Sequence, residues 1–265
     1  MRVAWAFLRV GILEGLQYRV EALIWFLFDL LPPVVMLFLW LAVYAGRAEV
    51  AGYSLDQMLG YYIGILILGT LVTAHVEWSL SHDIRQGLLS AYLLRPVSPW
   101  LYWFMGSLAW KVLRGLFLLP STALVVVALG GTLHLPALSP LQLGVLLLSI
   151  AAAYVLCYLF KAMIGLLAVW LTDISGLSGL WEVSMYVLGG AMLPLSLLPA
   201  PVQALATVLP FKYIYAYSLT LALGRQSEAE MWNGLAIQFA WLLLAAGLAR
   251  LLWQRALRRY EAVGS

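Results

Sequence analysis

Six stretches of this chain, 22–44, 57–79, 108–129, 140–171, 177–197 and 232–253, are so long and apolar that they constrain the fold before any motif is read. A helix needs about 20 apolar residues to cross the hydrocarbon of a bilayer. Lipid offers no partner to backbone N–H and C=O groups, so each crossing must be helical. Charged residues make up 10% of the chain and hydrophobic ones 64%, against the ~25% charged of a soluble domain. The 12 Trp and 14 Tyr suit aromatic belts at the two interfaces. The fold class expected is an all-α integral membrane protein, with residues 1–265 forming a single transmembrane domain of six spans.

The basic residues set the expected orientation. Arg2, Arg9 and Arg19 precede the first span; Arg85, Arg95, Lys111 and Arg114 fall between the second and third; Arg250, Arg255, Arg258 and Arg259 close the chain. Six spans place all of these on one side and only Arg47, Lys212 and Arg225 on the other, which by the positive-inside rule puts both termini in the cytoplasm. The net charge of +3 and pI of 9.0 are explained by those loops, and no nucleic-acid face is formed. Cys157, the only cysteine, excludes an intrachain disulfide and argues against a thiolate metal site. Arg2, Arg9, Glu14 and Arg19 interrupt the first 20 residues, so no cleavable signal peptide is expected.

Residues 1–20 read instead as an amphipathic helix on the cytoplasmic interface, with Ala4, Leu8, Ile12 and Leu16 every four positions. Segment 199–223 is apolar enough for a seventh crossing, but Pro210 and Lys212 sit within it and a seventh span would carry the C-terminal arginines outside. It is therefore expected as a re-entrant helical hairpin on the outer side, packed against other spans because broken backbone is tolerated at depth only against protein or a wet cavity. The longest cytoplasmic excursion runs over 80–107 and is broken by Pro96 and Pro99. Thr172-Asp173-Ile174-Ser175-Gly176 makes a short inner turn.

No H-E-x-x-H, G-x-S-x-G or P-loop pattern occurs, so neither catalytic residues nor a nucleotide site are expected on this chain. The three histidines, His75, His82 and His134, are too scattered for a metal site, although His75 and His82, seven apart, share a helix face. The most informative string is residues 82–96. On a helix, Ile84, Leu88 and Tyr92 align at four-residue spacing, with Asp83 and Arg85 at the start and Arg95 at the end. Such a stripe outside the membrane needs cover, either lipid or a groove on a partner protein.

Arg85-Gln86-Gly87-Leu88 followed by Leu93-Leu94-Arg95-Pro96 resembles the first cytoplasmic loop of ABC-2 type permeases, the membrane subunits of ATP-binding-cassette exporters. Thr172-Asp173-Ile174 is similar to the family's inner turn between the fourth and fifth spans. The stretch from Met192 to Pro199, followed by Leu209-Pro210-Phe211, is similar to its outer re-entrant segment. The three occur in the family's order, and the likeness is closest to a bacterial branch whose substrates are poorly defined. The resemblance implies a coupling helix at 81–96 that docks into a separate nucleotide-binding ATPase subunit, which carries the ATP and Mg. Asp83, Arg85, Leu88, Tyr92 and Arg95 would make that contact. It also implies a second permease, identical or homologous, residence in the bacterial inner membrane, and a re-entrant segment shaped by Pro194, Pro199, Pro210 and Phe211.

Ionisable residues inside the spans are costly and tend to be functional. Asp29 precedes Pro32-Pro33, which should kink the first span; Glu77 ends the second; Lys161 and Glu182 lie in the fourth and fifth. Lys161 either pairs with Asp29 or Glu182 across the inner half of the bundle, or snorkels to the interface. Gly60 and Gly64 permit a close helix contact. The function expected is a non-catalytic permease subunit of an ATP-driven exporter, with an amphiphile as the favoured cargo. The alternative is an ion-coupled secondary transporter using Asp29, Glu77, Lys161 and Glu182, although such carriers often show paired inverted halves and none is visible. An intramembrane enzyme lacks any recognisable nucleophile or metal set.

Overall fold

The computed structural model describes residues 2–50, 52–128 and 136–260; His134 and the end of the predicted 108–129 span lie outside them. The described chain is almost wholly helical. Helices α1 (Arg2–Gln17) and α2 (Arg19–Val43) are joined at Tyr18. A two-residue antiparallel pair, β1 (Glu49–Val50) with β2 (Tyr53–Ser54), leads into α3 (Leu55–Val72), α4 (Val76–Arg85) and α5 (Leu88–Leu93). Then come α6 (Pro99–Ala128), α7 (Pro140–Leu166), α8 (Ser175–Leu188), α9 (Ala200–Val208), α10 (Ala216–Ala222) and α11 (Glu228–Arg259). Among the described residues five helical stretches are long and apolar enough to cross a membrane: Arg19–Val43, Leu55–Arg85, Pro99–Val127, Pro140–Val169 and Glu228–Arg259. The protein is therefore a multi-pass integral membrane protein.

The local sequence explains where these helices begin. Ser54, Ser139 and Ser227 each accept from the backbone N–H three residues on, and Gln57, Gln142 and Glu230 reach back to the cap N–H. These capping boxes satisfy donors that a helix end leaves orphaned. Pro140 at the first position of α7 has no N–H to lose there. In the inner turn the Ser175 N–H bonds Asp173 at 3.0 Å and the Ser175 hydroxyl donates to the same carboxylate, which holds that carboxyl below its ordinary range. Pro32 and Pro33 lie within α2, which runs through them as one helix.

Helix α7 is the centre of the bundle, packed on α3, α4, α10 and α11. Its closest approach to α4 is at Gly165, where a Cβ would stand 3.0 Å from both the Glu77 Cα and its carbonyl oxygen. Gly165→Val should force α4 away from α7. The expected loss is about 1–3 kcal/mol, the range for overpacking a filled interior, read as a lowered unfolding temperature of the detergent-solubilised chain. Gly64 gives a similar close contact to Leu219 of α10.

Three expectations need correction. The stripe of α1 is not simply laid on lipid: α1 runs lengthwise along α6, with a Gly11 Cβ 2.8 Å from the Ala109 Cβ and Gly15 against Leu113, while Trp5, Val10 and Leu13 remain exposed. The third span starts not at 108 but at Pro99, so Lys111 and Arg114 are inside α6 and not in a loop. Segment 81–96 is not one helix. Gly87, at φ 73°, bends the chain between α4 and α5, a left-handed conformation that glycine adopts without strain.

The stretch predicted as a span over 177–197 is helical only over Ser175–Leu188. That is about 21 Å at 1.5 Å per residue, short of the ~30 Å hydrocarbon. Helix α8 stops where Gly190 takes φ 83° under the Tyr61 hydroxyl. Beyond it, 189–223 is a series of short helices, and buried side chains satisfy the irregular backbone. Tyr61 donates to the Gly190 carbonyl at 2.6 Å and Tyr62 to the Met192 carbonyl at 2.7 Å. Gln238 of α11 donates to the Tyr213 carbonyl at 2.8 Å and to the Ser149 carbonyl at 3.0 Å. Pro194 and Pro199 introduce a short 3-10 turn and α9, while Pro210 opens a second 3-10 turn, with Phe211 packed on Trp181.

Candidate functional site

The site grows out of a break between α3 and α4. Thr73, Ala74 and His75 are not helical, although none of them is glycine or proline. Side chains from elsewhere in the fold meet the break. Lys111 of α6 donates to the Thr73 carbonyl at 2.5 Å and to the Thr70 carbonyl at 3.3 Å. The Thr73 hydroxyl meets the Tyr215 hydroxyl at 2.5 Å. Freed carbonyls at this depth need such donors, and Lys111 provides them from the adjacent helix.

Just past the break is an ionic triad with a buried pair, Lys161 and Glu77, at its heart. The Lys161 ammonium, 1% exposed, contacts Glu77 Oε1 at 2.7 Å and also bonds Glu182. Ser178 donates to the same Glu77 oxygen at 3.2 Å. Lys161 therefore pairs and does not snorkel, and its partners are Glu77 and Glu182 rather than Asp29. Asp29 instead takes Arg114, at 2.5 Å. The triad fastens α4, α7 and α8 together at one point. Gly165, one turn along α7 from Lys161, permits the approach of α4 that places Glu77 there.

Ligand atoms of His75, Glu77 and Glu182 lie within 4.8 Å of one another, a spacing that a metal ion can bridge. The carboxylates of that group already share a cation, the Lys161 ammonium. A cavity of about 580 Å³ lies between α1, α2, α4 and α6. A second, of about 190 Å³, lies between α2, α3, α7 and α8. Thr70, Thr73 and His75 line both, so the break separates them. The second cavity holds Asp29 and Glu182, whose side chains are 41% and 52% exposed on the single chain.

The 81–96 segment divides into inward and outward residues. Asp83 is buried and accepts a bond from Trp103 Nε1 at 2.8 Å, so it is not on the surface as the stripe implied. Tyr92 is half-buried, its ring tilted against that of Tyr102 with centroids 4.8 Å apart, and the Arg95 guanidinium lies over it. Leu89 and Ile84 fill the core. Arg85, Leu88, Leu93, Leu94 and Arg95 are exposed, Leu94 at 88%. Beneath this tip an aromatic plate of Phe7, Tyr92, Trp100, Tyr102, Trp103 and Trp253 joins α1, α5, α6 and α11. The bend at Gly87 explains the difference, because a four-residue stripe keeps one direction only on an unbroken helix.

Sequence reasoning passed over Lys111 and Arg114 as members of the site. The available signal was two cations within the 30-residue run of α6, a placement that marks function or pairing as strongly as Lys161 does. A search of curated proteins finds no match for the chain. A family model described as an ABC-2 family transporter protein matches residues 30–264, a range holding the broken α3–α4 span, the triad and the exposed tip. The chain thus belongs to the ABC-2 family of transporter membrane proteins.

Proposed function

We propose that this protein is the permease subunit of an ATP-driven exporter, coupled to a separate ATPase subunit through the tip at 85–95. The observation that carries this reading is the exposed apolar tip, Leu88, Leu93 and Leu94 between Arg85 and Arg95, placed at the end of a helix that the ionic triad locks to the bundle. Apolar side chains flanked by cations suit a groove on an acidic-rimmed partner. A push on the tip would reach α7 and α8 through Glu77, Lys161 and Glu182, because packed helices move as rigid bodies rather than deform. The family's membrane subunits typically work with an ATP-binding subunit, and ATP and Mg belong on that partner.

Asp29 and Glu182, half-exposed on the single chain, support a second permease. A charge facing lipid costs at least ~2.5–3.5 kcal/mol, so this face belongs against protein or along a wet path between two permeases. In this reading α8 and the hydrogen-bonded segment 189–223 together complete a sixth crossing, with a re-entrant outer part. Both termini are then cytoplasmic and the protein sits in the inner membrane of a bacterium. The connected ionisable groups on both sides of His75 favour one other reading, an ion-coupled carrier using Asp29, Glu77, Lys161 and Glu182.

Affinity purification from native membranes separates the two. The exporter reading expects a co-purifying ATPase whose activity rises when this chain is present. Transport by the chain alone in proteoliposomes, driven by a proton gradient without ATP, would replace it with the carrier.

A further inference from the structure

The cavity between α1, α2, α4 and α6 has an unbalanced floor. Lys111 and Arg114 lie three residues apart on one face of α6 and line it together. Arg114 spends Nη1 on Asp29 at 2.5 Å. The half-buried Lys111 ammonium has only neutral partners among the described residues: the Thr70 and Thr73 carbonyls and the Tyr154 ring, 4.5 Å from its centroid. The cavity's other carboxylates stand away from these two cations: Asp83 is engaged by Trp103, two turns of α6 before Lys111, and Glu14 and Glu21 are exposed. Around Lys111 and Arg114 themselves, two cations and one carboxylate leave a local positive charge about three turns into the helix, roughly 18 Å from its start. An uncompensated charge at such a site is strongly unfavourable, and a bound anion would neutralise it.

The rest of the cavity indicates the anion's source. Glu14 and Glu21, both exposed, stand at its rim, and Glu21 accepts from Trp25 Nε1 at 3.4 Å. Rim carboxylates repel a small anion arriving from water. Trp25 and Trp78, half-exposed on α2 and α4, offer an apolar way in from the membrane. Indoles favour the headgroup level of a bilayer. The volume of about 580 Å³ is that of a drug-sized ligand site, far larger than an inorganic ion requires.

We infer that this cavity binds a membrane amphiphile with an anionic head, a phosphate or carboxylate, held by Lys111 and Arg114 with its apolar portion passing between Trp25 and Trp78. The binding does not depend on the exporter reading. It uses a different cavity from the one that holds Asp29 and Glu182, across the α3–α4 break.

The test uses the full chain in neutral detergent with Ser79→Cys in the cavity wall, since the native thiol, Cys157, is buried. N-ethylmaleimide labelling is measured with dodecyl phosphate, dodecyltrimethylammonium or inorganic phosphate, and normalised to an exposed Gln86→Cys variant. Dodecyl phosphate should slow labelling of Ser79→Cys at least fivefold. The cationic amphiphile and inorganic phosphate should not. Protection should vanish in Lys111→Met and persist in Lys111→Arg. Equal protection by the cationic amphiphile, or by inorganic phosphate, overturns the inference, as does no protection by dodecyl phosphate. The probe comparison on the Lys111 parent decides the matter even if Lys111→Met fails to fold.

Discussion

Lys161→Met should lower the unfolding temperature of the solubilised protein by roughly 10 °C, and adding Glu77→Gln should restore most of the loss. Among the described residues Lys161 is the one cation on a carboxylate, Glu77, that has no solvent exposure. Without it Glu77 keeps only the Ser178 hydroxyl. Removing one member of a buried ion pair costs about 3–5 kcal/mol, and each kcal/mol moves the transition of a chain this size by about 2–4 °C. Glu77→Gln removes the stranded charge and nearly keeps its shape, so the double variant should approach the parent. Glu182→Gln alone should be mild, because that carboxylate is half in contact with its surroundings outside the chain. Thermal unfolding followed by size-exclusion fluorescence reads all four proteins. A Lys161→Met protein as stable as the parent would mean that the triad does not form.

Leu94→Glu should abolish stimulation of the partner ATPase while leaving the unfolding temperature of the chain unchanged. Leu94 is the most exposed large apolar side chain of the tip, so the substitution disturbs no packing within the chain. At a docking interface the loss of a central apolar anchor costs about 2 kcal/mol or more, roughly a 30-fold fall in affinity. Placing a carboxylate there adds desolvation. Asp83→Asn should behave in the opposite way, weakening the Trp103 bond and stability first. ATPase assays on the reconstituted pair, with unfolding measured in parallel, distinguish the two. Full stimulation by the Leu94→Glu protein would remove the tip from the interface and leave its leucines to lipid.

The readings that succeeded from the sequence rest on constraints acting within one segment. Long apolar runs must become helices in lipid, whatever surrounds them. The Ser54, Ser139 and Ser227 caps that the structure shows are local in the same way, each formed by residues three apart, although no cap was read from the sequence. The 81–96 stripe failed where a local rule met one glycine: a helical period assumed across Gly87 turned Asp83 outward, when the bend and Trp103 turn it inward. Lys111 and Arg114 were misplaced for a related reason. Charge was taken as the end of a span, whereas buried cations are stable inside a helix that meets carbonyls and a carboxylate from its neighbours.

The sequence by itself determined that this chain lives in a membrane, that it crosses more than once as helices, and that its family is that of ABC-2 transporters. Only the tertiary structure decided which charges meet. Lys161 stood open between Asp29, Glu182 and the interface. The choice fell to residues 84 and 21 positions away in the chain, brought together because Gly165 lets α4 approach α7. The break at 73–75 carries no glycine or proline, so its cause is also distant: the donor that makes an interrupted helix tolerable belongs to Lys111, and the Thr73 hydroxyl is met by that of Tyr215. Desolvated polar groups take partners according to position in space, and that is a property of the packed bundle.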